Sequence, residues 1–398
     1  MDPTKEQEEF FWQCVGTARK FFNWGLEQWI KKHDAGEMPK EADIRKELTV
    51  IKDTQFPWLK DIPCGVVKQA IKNMDEAWQN FFKSIKGKRK GRKMDRPTFK
   101  KKHKAKPSAR LDNGPDSFNF SGKSVRMPKI GWIKLHEELR LEGRPLSTRI
   151  SFVGNQWWLS VQVELPDVVK VVNLESSVGI DLGLTTAVTL STGEKFDAPK
   201  PLKGALAKLR SLNKSLHRKV KGSQNRWKAQ KRLSRLHWRI AQIRKDWRHK
   251  LTTMIAKRFS VVCVEDLNIK GMMANHCLAR SISDIGWGDM VRQLGYKCDT
   301  VQPVGRFYPS SKLCNHCGYK MGTLSLTIRE WTCPDCGCVH DRDTNAAINI
   351  EAEGLRLYTV SYTGNNACGV EGSGPARKSK TKPSTMKQES RLSYWGIK

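Results

Sequence analysis

Acid is what this chain lacks. Its 398 residues carry 40 Asp+Glu against 72 Lys+Arg, a formal net charge of +32, and no acidic tail offsets the excess. A basic, solvated surface is the plainer explanation, but so large an imbalance costs self-repulsion in an isolated fold, and a polyanionic partner relieves it. Long apolar runs are lacking too. No segment approaches the roughly 18 to 20 uninterrupted apolar residues of a membrane span, and the opening MDPTKEQEEFF lacks the basic-then-apolar layout of a signal peptide. The sequence therefore predicts a soluble, intracellular protein with no membrane partner. In that compartment the 11 cysteines are expected to be mostly reduced, so a paired-cysteine spacing is better read as metal ligation than as a disulfide framework. Cys14, Cys64, Cys263 and Cys277 read as ordinary buried thiols.

What is present is length and periodicity. A chain of this size, with 38% hydrophobic residues, holds two or three domains with cores of their own. Thr4-x-x-Gln7 suits a capping box, and Phe11, Val15, Ala18, Phe22 and Trp29 then recur at helical spacing. A second helix enters through Pro63 and carries Val67, Ile71, Met74, Trp78 and Phe81 on one side, leaving Lys68, Lys72 and Asn73 on others. Residues 86–106, KGKRKGRKMDRPTFKKKHKAK, are too charged to hold a core and read as a basic loop, either a solvated linker or a phosphate contact through lysines such as Lys100, Lys101 and Lys102. Residues 117–165 turn to strand patterns, with RISFV, a Gly154-Asn155 turn and the alternation of QWWLSVQVEL.

At residue 178 a new pattern starts. VGIDLGLTTAVTLSTGEKF reads as an apolar strand with one aspartate inside it, then a hairpin through Ser191-Thr192-Gly193. Two long basic helices follow, broken near Gly222; the second buries a seam of Leu233, Leu236, Ile240, Ile243, Trp247, Leu251 and Met254. SVVCVEDLNIKGM is a short apolar run ending in an acid, as a buried strand reads. Residues 281–298 read as one helix, and the stretch from about 359 has no periodicity and is expected to be disordered.

Two chemistries then meet in CPDCGCVHDRDTNAAINI, residues 333–350. Cys314-x-x-Cys317, fifteen residues, then Cys333-x-x-Cys336 fits a four-thiolate zinc ribbon, because each two-residue spacer lets both sulfurs reach one tetrahedral ion. Four thiolates leave no open position, so such an ion is structural. Cys338 and His340 are spare ligands that can replace one of the four. Asp341 and Asp343 belong elsewhere, since a hard carboxylate would have to displace a thiolate better matched to zinc. Asp181 inside VGIDLG, Glu265 at the end of VVCVED and Asp343 at a helix entry each have a dull explanation alone: an ion pair, a strand end, a helix cap. Together they describe an acid in the first strand of an α/β domain, another at the tip of a later strand and a third on a following helix. Converging, they can hold two magnesium or manganese ions for an in-line attack on a phosphodiester.

At these residues the chain resembles a known family. GIDLGLTTAV, VVCVEDLNIKGM, ARSISDIGWGDMVRQLGYK, YPSSKLCNHCG and CPDCGCVHDRDTNAAINI, with PTKEQEE, IKNMDEAWQNFF and MPKIGWIKL before them, are similar to the TnpB nucleases of bacterial and archaeal insertion sequences, relatives of the compact type V CRISPR effectors. The resemblance implies a multidomain α/β protein. Residues 1–85 would be a helical recognition lobe and 86–170 a basic loop and β wedge. Residues 171–305 would be a RuvC-like nuclease core of RNase H fold with a basic hairpin over 204–258, followed by a zinc ribbon over 306–340, a final nuclease segment over 341–358 and the tail from 359. It implies a magnesium-binding catalytic triad of Asp181, Glu265 and Asp343, a transposon-derived guide RNA, and a double-stranded DNA target bearing a short motif beside the transposon end. It also implies a nucleoid-associated protein of a prokaryotic cytoplasm, with a monomer favoured. Motif reading would fall near Cys64, Lys68 and Asn119, with Lys72 alongside. Two departures stand out: the chain starts at Met1-Asp2-Pro3-Thr4 where the family runs a strand into a Tyr-Pro-Thr turn, and GYKCDTVQPVGRFYPSS is short between its helix and the ribbon. A guided binding protein without cleavage would need a broken triad. A transposase acting alone would need a nucleophilic Tyr with a His pair, and none of the six tyrosines lies in an H-x-H context.

Overall fold

The computed structural model describes residues 1–89, 91–102, 104–112, 114, 117–166, 176–325, 327–366 and 385–387. The chain divides into two compact units, Met1–Asp167 with Lys380–Ser390, and Val168–Ser379 with Arg391–Lys398.

The first unit begins with helices α1 (Lys5–Asp34), α2 (Glu41–Gln55) and α3 (Cys64–Ile85). The Thr4–Gln7 capping box forms and starts α1. Its far half packs on α3, where Phe21, Leu26, Ile71 and Met74 are buried and the Trp29 and Trp78 rings stack 3.7 Å apart. Its near half serves a different core: Phe11 meets Trp157 edge-on at 5.0 Å among Val125, Ile133 and Ile150. Those residues come from β1 (Ser108–Arg110), β2 (Asn119–Ser121), β3 (Ser124–Met127), β4 (Gly131–Lys134), β5 (Arg144–Val153) and β6 (Gln156–Glu164). The expected Gly154-Asn155 turn joins β5 to β6, and both residues have positive φ, 61° and 67°, the pair of left-handed conformations that a tight hairpin requires. At the chain start Asp2 bridges to Lys134 and the Met1 ammonium donates to the Trp157 carbonyl at 3.1 Å, so an isolated bridge and not a strand holds the first residues.

The second unit is built on a five-stranded sheet: β7 (Ser177–Asp181), β8 (Val188–Leu190), β9 (Lys195–Phe196), then, after helices α4 (Pro201–His217) and α5 (Gln224–Arg258), β10 (Val261–Glu265), and after α6 (Ile269–Ala274), α7 (His276–Ile285) and α8 (Trp287–Lys297), β11 (Thr300–Val304). The order is β11-β10-β7-β8-β9. β10 runs parallel to both β7 and β11, while β8 is antiparallel to β7 and β9. The hairpin strands β12 (Glu330–Thr332) and β13 (Val339–Asp341) precede a last helix, α9 (Arg342–Asn366).

Four expectations need correction. Residues 281–298 are not one helix: Gly286 takes φ 74° and splits α7 from α8. That left-handed conformation, which favours glycine, cannot continue a helix, so the backbone itself sets the break. Cys64 and Cys277 are exposed, unlike buried Cys14 and Cys263. Residues 359–366 are helical, continuing α9 past its expected end at 358, and the remainder of the expected tail lies outside the described residues except for β14 (Thr385–Lys387), which pairs with β6. The basic hairpin starts at Pro201 rather than 204, because proline fits the first turn of a helix, where its missing N–H is not needed.

Candidate functional site

Two adjacent strands and one helix carry the three acids. β7 buries Val178 and Ile180, and β10 buries Val261, Val262, Cys263 and Val264, so each strand is held rigidly up to its terminal acid. In the parallel register Val264 pairs with Ile180. Glu265 and Asp181 follow at the same, carboxyl end of neighbouring strands, the usual place for a site in such a sheet. α9 lies across β7 with no room to spare: a Cβ at Gly179 would stand 1.9 Å from the Ala347 carbonyl oxygen, and one at Gly354 would stand 2.3 Å from the Cys263 sulfur of β10. Glycine at both positions lets helix and sheet approach, and Asp343, one turn before Ala347, is brought over the acids below.

The electrostatics register that convergence. Partial burial, then the Asp343 and Glu265 carboxylates, push the Asp181 carboxyl up from 3.8 to about 7. Burial and the adjacent Asp266 also raise Glu265. Asp343 receives the Arg329 guanidinium at 3.2 and 3.4 Å, and the same arginine donates to Thr185 Oγ1 at 3.2 Å. Nothing in the sequence singles out Arg329; it reaches the acid only because the β12–β13 hairpin folds back. Asp341 has a different task. It accepts from the Thr344 backbone N–H at 2.9 Å and from Lys195 at 2.7 Å; burial works against its charge, but these partners hold its carboxyl below the usual range. It caps α9 and is spent there.

The four cysteines come together. Sulfurs of Cys314, Cys317, Cys333 and Cys336 all lie within 4.8 Å of one another, which fits the donor set of one tetrahedral ion. Two matching turns make this possible. Gly318 N–H donates to the Cys314 carbonyl and Gly337 N–H to the Cys333 carbonyl, each at 3.0 Å, with φ of 79° and 71°. His340, expected as a spare ligand, is buried with Nε2 3.0 Å from Cys314 Sγ and its ring beside Trp331. Cys338 groups instead with His316 and Cys336.

The residues expected to contact nucleic acid are scattered over the first unit. Lys68 and Lys72 are exposed on α3, Asn119 is exposed at the start of β2, and Lys101 and Lys102 are exposed in the basic loop. Lys100 differs: its backbone exchanges hydrogen bonds with the Asn23 side chain at 2.7 and 3.1 Å, and its ammonium sits 3.5 Å from the Phe22 ring centroid. That lysine pins the loop to α1. Among the described residues no helix is long and apolar enough to cross a membrane.

Comparison with known proteins agrees with this architecture. A family model described as "Probable transposase" matches residues 160–276, one described as "Cas12f1-like, TNB domain" matches 287–350, and one described as "Helix-turn-helix domain" matches 1–38. A Streptomyces pristinaespiralis protein named "Putative RNA-guided DNA endonuclease" is 33% identical over 99% of this chain and 96% of its own. InsQ of Escherichia coli K12, given the same description, is 30% identical over 88% of this chain and 90% of its own. In fold, the protein of a Cas12f1–sgRNA–target DNA complex superposes with a TM-score of 0.51 at 16% identity, covering 87% of this chain and 83% of that one. The class is thus a mixed α/β, multidomain protein. Within it, this chain belongs to the TnpB family.

Proposed function

We propose that the chain is an RNA-guided DNA endonuclease that cuts guide-matched DNA beside a short transposon-adjacent motif, with Asp181, Glu265 and Asp343 as its cutting centre. One observation carries the reading: three carboxylates from separate elements meet at the carboxyl end of two inner strands, β7 and β10, and Asp343 and Glu265 both push the Asp181 carboxyl up. Crowded like charges call for a cation, and an all-carboxylate set suits magnesium or manganese. Such ions, when bound, supply an activated water and stabilise the leaving oxygen. The chain's own part is positional: β7 and β10 fix two acids, and α9, seated on Gly179, fixes the third.

The strand order, with β8 alone reversed between β7 and β9, supports a RuvC-like unit of RNase H fold over 171–305 and 341–358. We read 306–340 as an inserted ribbon that holds one structural zinc through its four cysteines, 1–85 as the recognition lobe and 86–170 as the wedge. Lys68, Lys72, Asn119, Lys101 and Lys102 are the exposed candidates for nucleic-acid contact. The names of the relatives support a guide RNA and a DNA target.

The test is cleavage of a plasmid carrying a guide-matched target, with protein expressed from its native locus together with flanking RNA, beside a gel shift on the same DNA. Asp181→Ala should slow cutting by about a thousandfold or more, since ion-held charge stabilisation is worth several kcal/mol, while leaving binding nearly intact. An Asp181→Ala protein that cuts at the wild-type rate removes this acid from the centre. Wild-type protein that binds but never cuts in magnesium or manganese would be a guided binding protein instead.

A further inference from the structure

Several cations around the five-stranded sheet are already paired. Lys195 meets Asp341 at 2.7 Å, Arg244 meets Asp284 at 2.6 Å, Arg248 meets Asp289 at 2.9 Å, Arg258 meets Glu194 at 2.7 Å and Arg329 meets Asp343 at 3.2 Å. Four are not. A cavity of about 470 Å³ between the loop after β7, the start of α4 and the start of α7 is lined by Lys200, Lys203, His276 and Arg280. All four are exposed, and among the described residues none of their side chains has an ion pair or hydrogen bond. The acid in the same wall, Asp284, is buried and consumed by Arg244, whose Nε also reaches it at 2.7 Å. Positive charge held without a counter-charge in a concave site is the signature of an anion pocket.

We propose that this cavity seats a backbone phosphate of a nucleic-acid strand on its way to the three-carboxylate centre. Two observations favour a polymer over a lone anion. First, Leu184 lines the cavity and lies three residues beyond Asp181, so the pocket opens beside the loop that leaves the catalytic strand. Second, the charge continues. Lys203, Arg210, Lys214 and Arg218 recur on one face of α4, and a second cavity of about 560 Å³ is lined by the last three with Lys219. At 1.5 Å per residue that face carries cations for roughly 22 Å, a track and not a point. Phosphodiester backbone is the ligand chemistry, common to DNA and RNA. The direction of travel rests on the proposed function; the pocket itself does not.

Cys277 supplies the probe, because it lines the same cavity and is exposed. The full chain, freed of nucleic acid and kept in EDTA, is alkylated with iodoacetamide and modification of Cys277 is followed by peptide mass spectrometry. The reaction is run alone, with a short single-stranded DNA, with RNA of the same sequence, and with inorganic phosphate. Binding of each oligonucleotide is checked separately by gel shift. We expect a bound strand to slow Cys277 alkylation by at least about threefold, with protection lost as salt rises. The strand type that protects identifies the occupant. In the Lys203→Ala/Arg280→Ala variant protection should vanish, and the slope of log affinity against log salt should fall by about 0.7 for each phosphate that is no longer neutralised. These side chains are exposed and unpaired, so the variant should melt as the wild type does. Unchanged Cys277 reactivity under a saturating strand, protection by inorganic phosphate but by neither strand, or an unchanged salt slope in the variant would overturn the proposal. No cutting is measured, so Asp181→Ala protein serves equally well, and a wrong triad leaves this result untouched.

Discussion

Two aspartates, one in each unit, make opposite uses of the same side chain. Asp112, in the β unit, is fully buried and wholly satisfied. Arg110 reaches it through Nε at 2.8 Å and Nη2 at 2.7 Å, and Thr148 donates its backbone N–H at 2.8 Å and its hydroxyl at 3.2 Å. Arg110 passes the network on to Gln69 of α3 at 3.1 Å, tying helix to sheet. At Asp181 the company differs: burial first, and then the Asp343 and Glu265 carboxylates beside it, push its carboxyl up. Burial alone therefore does not mark the proposed cutting acid. What marks it is company of the same sign, a local cost that a fold keeps only where something else supplies the opposite charge.

The strongest way to break that contrast leaves every acid in place. Gly179→Ala sets a methyl group where the Ala347 carbonyl oxygen would be 1.9 Å away and the Glu351 N–H nitrogen 2.7 Å away; both are backbone, so α9 has to move. Overpacking of this kind costs about 3 kcal/mol or more. Displacing Asp343 by about an ångström should slow cutting at least about a hundredfold even where the protein stays folded. Denaturant unfolding and plasmid cleavage on the same preparation check both. Wild-type cutting by a folded Gly179→Ala protein would mean that α9 does not deliver the third acid.

The next variant sharpens the comparison from the other side. Asp112→Asn leaves the Arg110 guanidinium without its counter-charge. Breaking a buried pair costs about 3–5 kcal/mol, and the Arg110 side chain is 29% exposed, so we expect about 2–3 kcal/mol from the first unit, with water taking up part of the loss. The folded fraction should still cut at the wild-type rate. A cleavage defect without a stability defect would make Asp112 a working acid and erase the distinction.

Much of the site was legible because its signals are local. A Cys-x-x-Cys pair needs only its own turn, and a strand announces itself by its own alternation, so the four-cysteine cluster, the β5–β6 hairpin and the strands ending in Asp181 and Glu265 could be read in advance. What escaped is what depends on distant partners. Arg329 is one charge in a loop until the hairpin carries it to Asp343. Gly179 reads as a weak strand residue until α9 lies on it. The exposure of Cys64 and Cys277 depends on how distant segments pack around them, and the stop between α7 and α8 on the left-handed conformation of Gly286. Residues 359–366 offered no apolar stripe, yet they extend a helix already anchored upstream, where each added residue gains a hydrogen bond without a new nucleus.

The mildest prediction concerns the sign of charge rather than packing. The Asp181 carboxyl ionises near 7 in the folded, metal-free protein against 3.8 as a free side chain. Between those values the folded chain keeps a proton that the unfolded chain has released. Stability from this group is therefore fully present below about pH 4 and is lost as pH rises through 7. Asparagine cannot ionise, so in EDTA Asp181→Asn protein should match the wild type near pH 4 and become more stable as pH rises, reaching a plateau above pH 7. The full shift would be worth about 4 kcal/mol, but Asp181 is partly open to water and its neighbours relax, so about 1–2 kcal/mol is the expected gain. Thermal melts of the variant and the wild type across that range decide the matter, and an Asp181→Asn protein that is less stable than wild type at pH 8 would show that the three acids do not oppose one another.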